Sequence, residues 1–310
     1  MQQRRMAAYG VLRDDGGQVL LVQGGDGCPD RGAWRLPGGG LRHAEHPAAA
    51  VVRGFAEETG LAVTVAGIRA AVADVATFAV GAGLHTDRLV FDVAATTGKV
   101  FPPEQGRAGL GWFTPDSAAA VPVMPFTAEL LGLPGTPLPS GLSRVLPLAP
   151  TAPAPTISAS TAPASTARRH RFGAYGLVTD PAGRVLLTLI AEGYPGAGSW
   201  HLPGGGTDYG EAPEAGLLRE LVEESGQVGR VVELVGADSL HLPRAVGPEG
   251  HPLDWHTVRA IYTVVVDEPT EARVLELAGG STARASWFTV TELAGLRLSD
   301  IAARMVAELR

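Results

Sequence analysis

The chain has 310 residues, 45% of them hydrophobic, with 25 basic against 32 acidic side chains and a net charge of −7. Such a length and apolar content specify a globular protein of about two domains, and the acidic balance excludes long nucleic acid, whose binding needs a basic face that releases counterions. No apolar run reaches the length of a membrane span, and the single cysteine, Cys28, permits no internal disulfide, so a reducing cytoplasm is the expected compartment.

The opening MQQRRMAAYGVL reads as a first strand rather than a leader, and Asp14-Asp15-Gly16-Gly17 as the turn into a second. Pro47 fits the first position of a helix and Gly60 the stop just beyond its last turn. Residues 89–94 read as a buried strand. Residues 134–167 hold eight prolines among many Ala, Ser and Thr, the composition of an extended linker. The pattern then begins again. Strand, turn and strand are expected over 171–179, 180–183 and 184–189, a helix between Pro213 and Gly226, a strand over 257–266 and a closing helix over 298–309. A loop over 242–254, with Pro243, Gly247, Pro248 and Gly250, is longer than its counterpart in the first half and is expected to shape a pocket.

The repetition is literal. Sliding the chain by 166 positions lays Tyr9 on Tyr175, Trp34 on Trp200, Gly39 on Gly205, Glu45 on Glu211, Arg53 on Arg219, and Glu57-Glu58 on Glu223-Glu224. Further on, loops differ, but His85-Thr86-x-Arg88 still answers His256-Thr257-x-Arg259. Each unit has the size of an independent domain, so the reading is two modules, 1–133 and 168–310, joined by a linker at 134–167. Neither module is basic overall: the first carries 11 basic and 13 acidic residues, the second 13 and 19.

Within the second module, Glu220, Glu223 and Glu224 stand at i, i+3 and i+4 of the expected helix, behind Gly204, Gly205 and Gly206. On one helix face these carboxylates repel by a few tenths of a kcal/mol per pair unless a cation sits among them. Three hard oxygen donors suggest magnesium, with manganese as the alternative, and three successive glycines let the backbone turn tightly and approach phosphates closely.

Gly205, five residues, Glu211, seven residues, then Arg219-Glu220-Leu221-Val222-Glu223-Glu224-Ser225-Gly226 resembles the Nudix box, with Gln227 where an aliphatic residue is usual. The resemblance implies two tandem α/β/α sandwich domains and a magnesium-dependent hydrolase of a diphosphate bond in a nucleoside diphosphate derivative or an oxidised nucleoside triphosphate. It implies Glu223 and Glu224 as metal ligands, Glu220 as ligand or as base through a water, and Arg219 as the brace of loop and helix. Glu211 braces or assists. A further base from a mobile loop has three candidates, Asp238, Glu249 and Asp254. Trp200 is a candidate wall beside the phosphates or a core residue. His256 and Arg259 sit at odd spacing on a strand, so at most one of them faces a pocket. Pro243, 16 residues past the box, resembles the placement in ADP-ribose hydrolases.

The first module has Gly54 where the second has Glu220, which leaves Glu57 and Glu58 as its metal donors and costs about 1 kcal/mol of helix propensity. Nucleotide binding without turnover, or buttressing of the second module, is expected there. A regulatory scaffold without turnover is the competing function for the whole chain, and isomerase chemistry on an isoprenyl diphosphate is discounted because Cys28 stands in an early loop of the impaired module. Whether the modules pair within the chain or across a homodimer stays open.

Overall fold

Alternating apolar runs and Gly/Pro turns build two units, Met1–Leu148 and Ala149–Arg310, in the computed structural model. The structure describes residues 2–25, 31–78, 83–97, 107–133, 142–145, 167–246, 251–275 and 280–309; Cys28, Gly247, Pro248, Glu249, Gly250 and most of the linker lie outside these.

The first unit runs β1 (Gln2–Val11), β2 (Val19–Gly24), β3 (Trp34–Arg35), β4 (Gly38–Gly40), α1 (Pro47–Thr59), β5 (Ala62–Phe78), β6 (Gly83–Thr97), β7 (Arg107–Phe113), α2 (Pro115–Ala119), α3 (Pro125–Leu130) and β8 (Leu142–Val145). One sheet has the order β4-β1-β6-β5-β8 and a smaller one β3-β2-β7, with β1 and β6 parallel. Strand β8 falls in the stretch read as linker. It pairs antiparallel with β5, Val75 opposite Val145, so Leu142–Val145 belong to the first unit's sheet.

The second unit runs β9 (Ala167–Thr179), β10 (Val185–Ile190), β11 (Trp200–His201), β12 (Gly204–Gly206), α4 (Pro213–Ser225), β13 (Arg230–Val246), β14 (Pro252–Val265), β15 (Thr282–Phe288) and α5 (Asp300–Ala307). Its strands order as β11-β10-β9-β14-β13, with β12 added to β9 and β15 to β10. Here too the central pair, β9 and β14, is parallel.

A box helix lies on one face of each of the two larger sheets. Helix α1 lies on β1 at Gly10, where a Cβ would come within 2.5 Å of Phe55, and α4 lies on β9 at the matching Gly176, where it would come within 3.4 Å of Leu217. Glycine at these two equivalent positions lets the helices seat closely. On the opposite face of the second sheet, Leu177, Val185, Leu187 and Ile261 pack with Ile301, Ala302, Met305 and Val306 of α5. The layers are those of an α/β/α sandwich. Both box helices are 13 residues long and start with proline at N1. Both stop at a left-handed glycine, Gly60 at φ 74° and Gly226 at φ 70°, whose N–H bonds back to Ala56 and Val222.

Within the expected loop over 242–254, the described residues 242–246 and 252–254 are strand instead. Val246 pairs with Pro252 and Leu242 with Trp255, so Pro243 sits within β13 at an irregularity of the ladder rather than in a loop. No helix among the described residues is long and apolar enough to cross a membrane.

Candidate active site

Helix α4 is amphipathic, so burying Leu217 and Leu221 turns Arg219, Glu220 and Glu223 to one side of the glycine strand. Arg219 is the hub. Its Nε and Nη2 donate to Glu211 at 2.9 and 3.1 Å, and Nη2 also reaches the Gly206 carbonyl at 3.1 Å. Its Nη1 donates to Glu220 and Glu223 at 3.1 and 3.0 Å. Glu211 is itself buried and accepts from the Asp208 N–H at 2.8 Å. Bonds between ionised partners of this kind are about twice as strong as neutral ones, so the residue ties loop to helix rather than decorating the surface. The Glu211 contact, opposed by burial, raises the guanidinium affinity for its proton.

The three carboxylates of α4 differ in setting. Glu224 is buried and accepts the Gly204 N–H at 2.9 Å and the Thr282 hydroxyl from β15. Glu223 is the most open, with its side chain 40% exposed. Glu220 lies over Gly205, whose Cβ would stand 2.6 Å from the carboxyl carbon. Burial pushes the Glu220 carboxyl above its ordinary range against the pull of Arg219. A divalent ion would relieve that cost, and an all-oxygen donor set of three carboxylates on one helix face suits magnesium. The glycine strand needs its composition: Gly204 has φ 131° and a Cβ there would strike the Ala174 carbonyl at 2.2 Å. Arg171 crosses Gly206, where a Cβ would fall 2.2 Å from its Nε, and brings a further cation to the rim.

In the first unit the brace survives and the donor set does not. Arg53 donates to Glu45 at 2.7 and 2.9 Å and to the Gly40 carbonyl at 3.0 Å, as Arg219 does in the second. Glu58, however, is held by Arg35 at 2.7 and 3.0 Å, besides accepting the Gly38 N–H at 3.0 Å. Glu57 is shared by Arg42 and Arg53 at 2.9 and 2.8 Å. Glu57 and Glu58, named from the sequence as metal donors, are each paired with arginine, as Glu220 and Glu223 are with Arg219. Gly54 has a packing reason: its Cβ would stand 2.8 Å from the Gly38 Cα, so α1 rides directly on the glycine strand.

The remaining candidates are spread over the sheet. Asp238 is on β13, not on a mobile loop, and is held by Arg259 at 3.0 Å and Arg304 at 2.6 Å. Asp254 is on β14 and pairs with His241 at 2.6 Å. Glu249 is outside the described residues. Trp200 packs edge-on against Phe288 at 4.7 Å and joins the cluster under α5, a packing position. His256 and Arg259 take opposite faces: His256 meets Ser239 at 2.9 Å, whereas Arg259 pairs with Asp238 and lies 5.9 Å from the Tyr175 ring. Gln227, the departure from the box, is buried and clamps Thr270 through both amide atoms at 2.9 Å. Neither Thr282 nor Arg35 was singled out from sequence, though the change from Arg35 to His201 at one repeat position was visible there.

A family model described as the NUDIX domain matches residues 3–131 and 169–309. The 8-oxo-dGTP diphosphatase of Haemophilus influenzae is 44% identical over 61 residues, 20% of this chain and 45% of that protein. The oxidized purine nucleoside triphosphate hydrolase of Danio rerio is 38% identical over 94 residues, 27% of this chain and 59% of that protein. The chain therefore spans about half the length of these curated relatives. Among solved structures, a MutT Nudix hydrolase from Burkholderia pseudomallei is 28% identical with a TM-score of 0.35, covering 42% of this chain and 97% of that one. With the model matched twice and the strand, glycine loop and box helix present in both units, the chain belongs to the Nudix family as a tandem of two Nudix domains.

Proposed function

We propose that the chain is a magnesium-dependent pyrophosphohydrolase, with turnover carried by residues 168–310 and a nucleoside diphosphate derivative or oxidised nucleoside triphosphate as substrate. The observation that carries this reading is the gathering of three carboxylates beside Gly204–Gly206, Glu220 and Glu223 by Arg219 and Glu224 by the Gly204 N–H. Bound magnesium, or manganese, would neutralise the two phosphoryl groups and leave positions for phosphate and water.

Glu223 and Glu224 hold the ion in this reading, and Glu220 completes the set or takes the proton of the attacking water, for which its raised proton affinity suits it. Gly204, Gly205 and Gly206 allow the diphosphate close to the backbone, and Arg171 at the rim offsets its charge. Arg219 and Glu211 orient the carboxylates without touching substrate. The names of the two curated relatives favour an oxidised purine nucleoside triphosphate among the substrates. In the first module, carboxylates already paired with Arg35, Arg42 and Arg53 favour a binding or buttressing role without turnover.

The test is magnesium-dependent turnover of ADP-ribose, dGTP, 8-oxo-dGTP, diadenosine polyphosphate and a nucleotide sugar by the full chain beside Glu223→Gln and Glu57→Gln. Loss of turnover in the first variant and its survival in the second supports the assignment. No turnover of any compound, or indifference to Glu223→Gln, overturns it in favour of a scaffold.

A further inference from the structure

Strand β15 turns alternate residues to opposite faces of its sheet. Phe288 packs edge-on against Trp200, and the Arg284 guanidinium lies 5.8 Å from the centre of the same ring, so its even-numbered residues face the cluster under α5. Regular alternation would turn Thr282 that way as well, away from α4. The ladder slips instead. Leu189 stands opposite Arg284 but Ile190 opposite Thr282, which leaves Ala283 as an extra residue, and a bulge of this kind re-aims the side chain beside it. The Thr282 hydroxyl accordingly donates to Oε1 of Glu224, while the Gly204 N–H bonds Oε2 at 2.9 Å. Two strands, β15 and β12, thus hold the two oxygens of one buried carboxylate.

We propose that Thr282 is a positioning residue for the metal site, its hydroxyl fixing the carboxylate plane of Glu224 and the bulge at Ala283 delivering it there, which rests on the reading of Glu224 as a magnesium ligand. A neutral hydroxyl orients a carboxylate without cancelling its charge, and hydrogen-bonding partners of this kind keep ligating carboxylates in place. The chain leading into β15 is itself tied to the end of α4. Gln227 bonds Thr270 through both amide atoms at 2.9 Å, the Arg273 N–H reaches the Ser225 carbonyl at 2.9 Å, and the Leu275 N–H reaches the Glu223 carbonyl at 2.8 Å. These bonds seat residues 270–275 against the turn that bears Glu223 and Glu224.

The first unit keeps the bulge and changes the residue. Gln23 stands opposite Gly109 but Gly24 opposite Arg107, so Arg107 holds the ladder position of Thr282 and Ala108 that of the extra residue. Leu61 likewise stands where the second unit has Gln227. Both modules bring a residue to this point of the sheet, and only the second places a hydroxyl there.

The experiment titrates Mn2+ into the full chain and follows the electron paramagnetic resonance signal of the free ion, the component that Glu223→Gln removes being that of the carboxylate site. Thr282→Val, which keeps the β-branched shape and deletes the hydroxyl, and Thr282→Ala should each weaken that component by about 10–100-fold, the usual effect of losing an outer partner of a metal ligand. Thr282→Ser should keep the wild-type affinity. Circular dichroism of the metal-free variants checks that they are folded. Wild-type affinity in a folded Thr282→Val or Thr282→Ala chain, or a loss in Thr282→Ser equal to theirs, overturns the role of the hydroxyl and leaves the metal site standing. A wild-type chain with no component that Glu223→Gln removes overturns the metal site itself, and the role of Thr282 with it.

Discussion

Arg35 holds Glu58 in a two-point ion pair, with Nη1 and Nη2 donating to its two oxygens at 3.0 and 2.7 Å. At the matching position of the second module stands His201, and the matching carboxylate, Glu224, accepts the Gly204 N–H and the Thr282 hydroxyl. The arginine that forks onto the carboxylate in the first module is thus replaced by histidine at the same repeat position of the second. The consequence is measurable: truncating either partner should destabilise the first module by about 1–3 kcal/mol, the cost of leaving a half-buried charge without its bonds. A denaturant double-mutant cycle on Arg35→Ala and Glu58→Gln should return a coupling of about 1–2 kcal/mol, and no change in turnover for either single variant.

Gly54→Glu should not repair the first site. The added Cβ meets the Gly38 backbone at 2.8 Å, and backbone cannot yield as a flexible side chain does. Even Gly54→Ala, which helix propensity alone would favour by about 1 kcal/mol, should destabilise by about 1–3 kcal/mol through overpacking. Urea unfolding decides the sign, and a stabilised Gly54→Ala variant would show that the helix can lift off the strand at no cost.

Arg219→Lys should lower turnover by tenfold or more with the positive charge retained. An ammonium cannot reproduce the planar fork that reaches Glu211, Gly206, Glu220 and Glu223 together. Loss of bonds to buried Glu211 should also cost stability, about 1.5–3 kcal/mol for charged hydrogen bonds. Turnover and denaturation on the same sample separate the two effects. The parallel change Arg53→Lys should cost similar stability and no turnover.

His201 gives the second module an acid-sensitive element. Burial first, then the nearby Arg259, pushes its pKa from the ordinary 6.5 down to about 4, with Asp238 opposing. Between those values the unfolded chain binds a proton that the folded chain refuses, so stability is fully present above pH 6.5 and falls as pH drops toward 4. The displacement is worth at most about 3 kcal/mol, less what solvent screens at a half-buried ring. Unfolding free energies at pH 7 and 4.5 should differ less in His201→Gln by an amount of that order.

Local signals were the legible ones. Pro47, Gly60, Pro213 and Gly226 bounded the two box helices correctly because a proline at N1 and a left-handed glycine are requirements of the backbone itself. The expected strands at 171–179 and 184–189 emerged with small changes at their ends. Asp238 was misplaced on a loop, and 242–254 was read as loop because Pro and Gly suggested one; cross-strand pairing over β13 and β14 overrode them.

Alone, the sequence determined the tandem organisation, the Nudix resemblance, the box helices and the loss of one carboxylate in the first module, because these rest on spacing along a single element. Tertiary structure alone decided the partners those carboxylates have. Arg35 reaches Glu58 across 23 residues, Thr282 reaches Glu224 across 58, and His170 meets His256 only because β9 and β14 lie parallel and in register. Contacts of that kind depend on strand order and on how closely a helix seats on its sheet, and no local pattern encodes either.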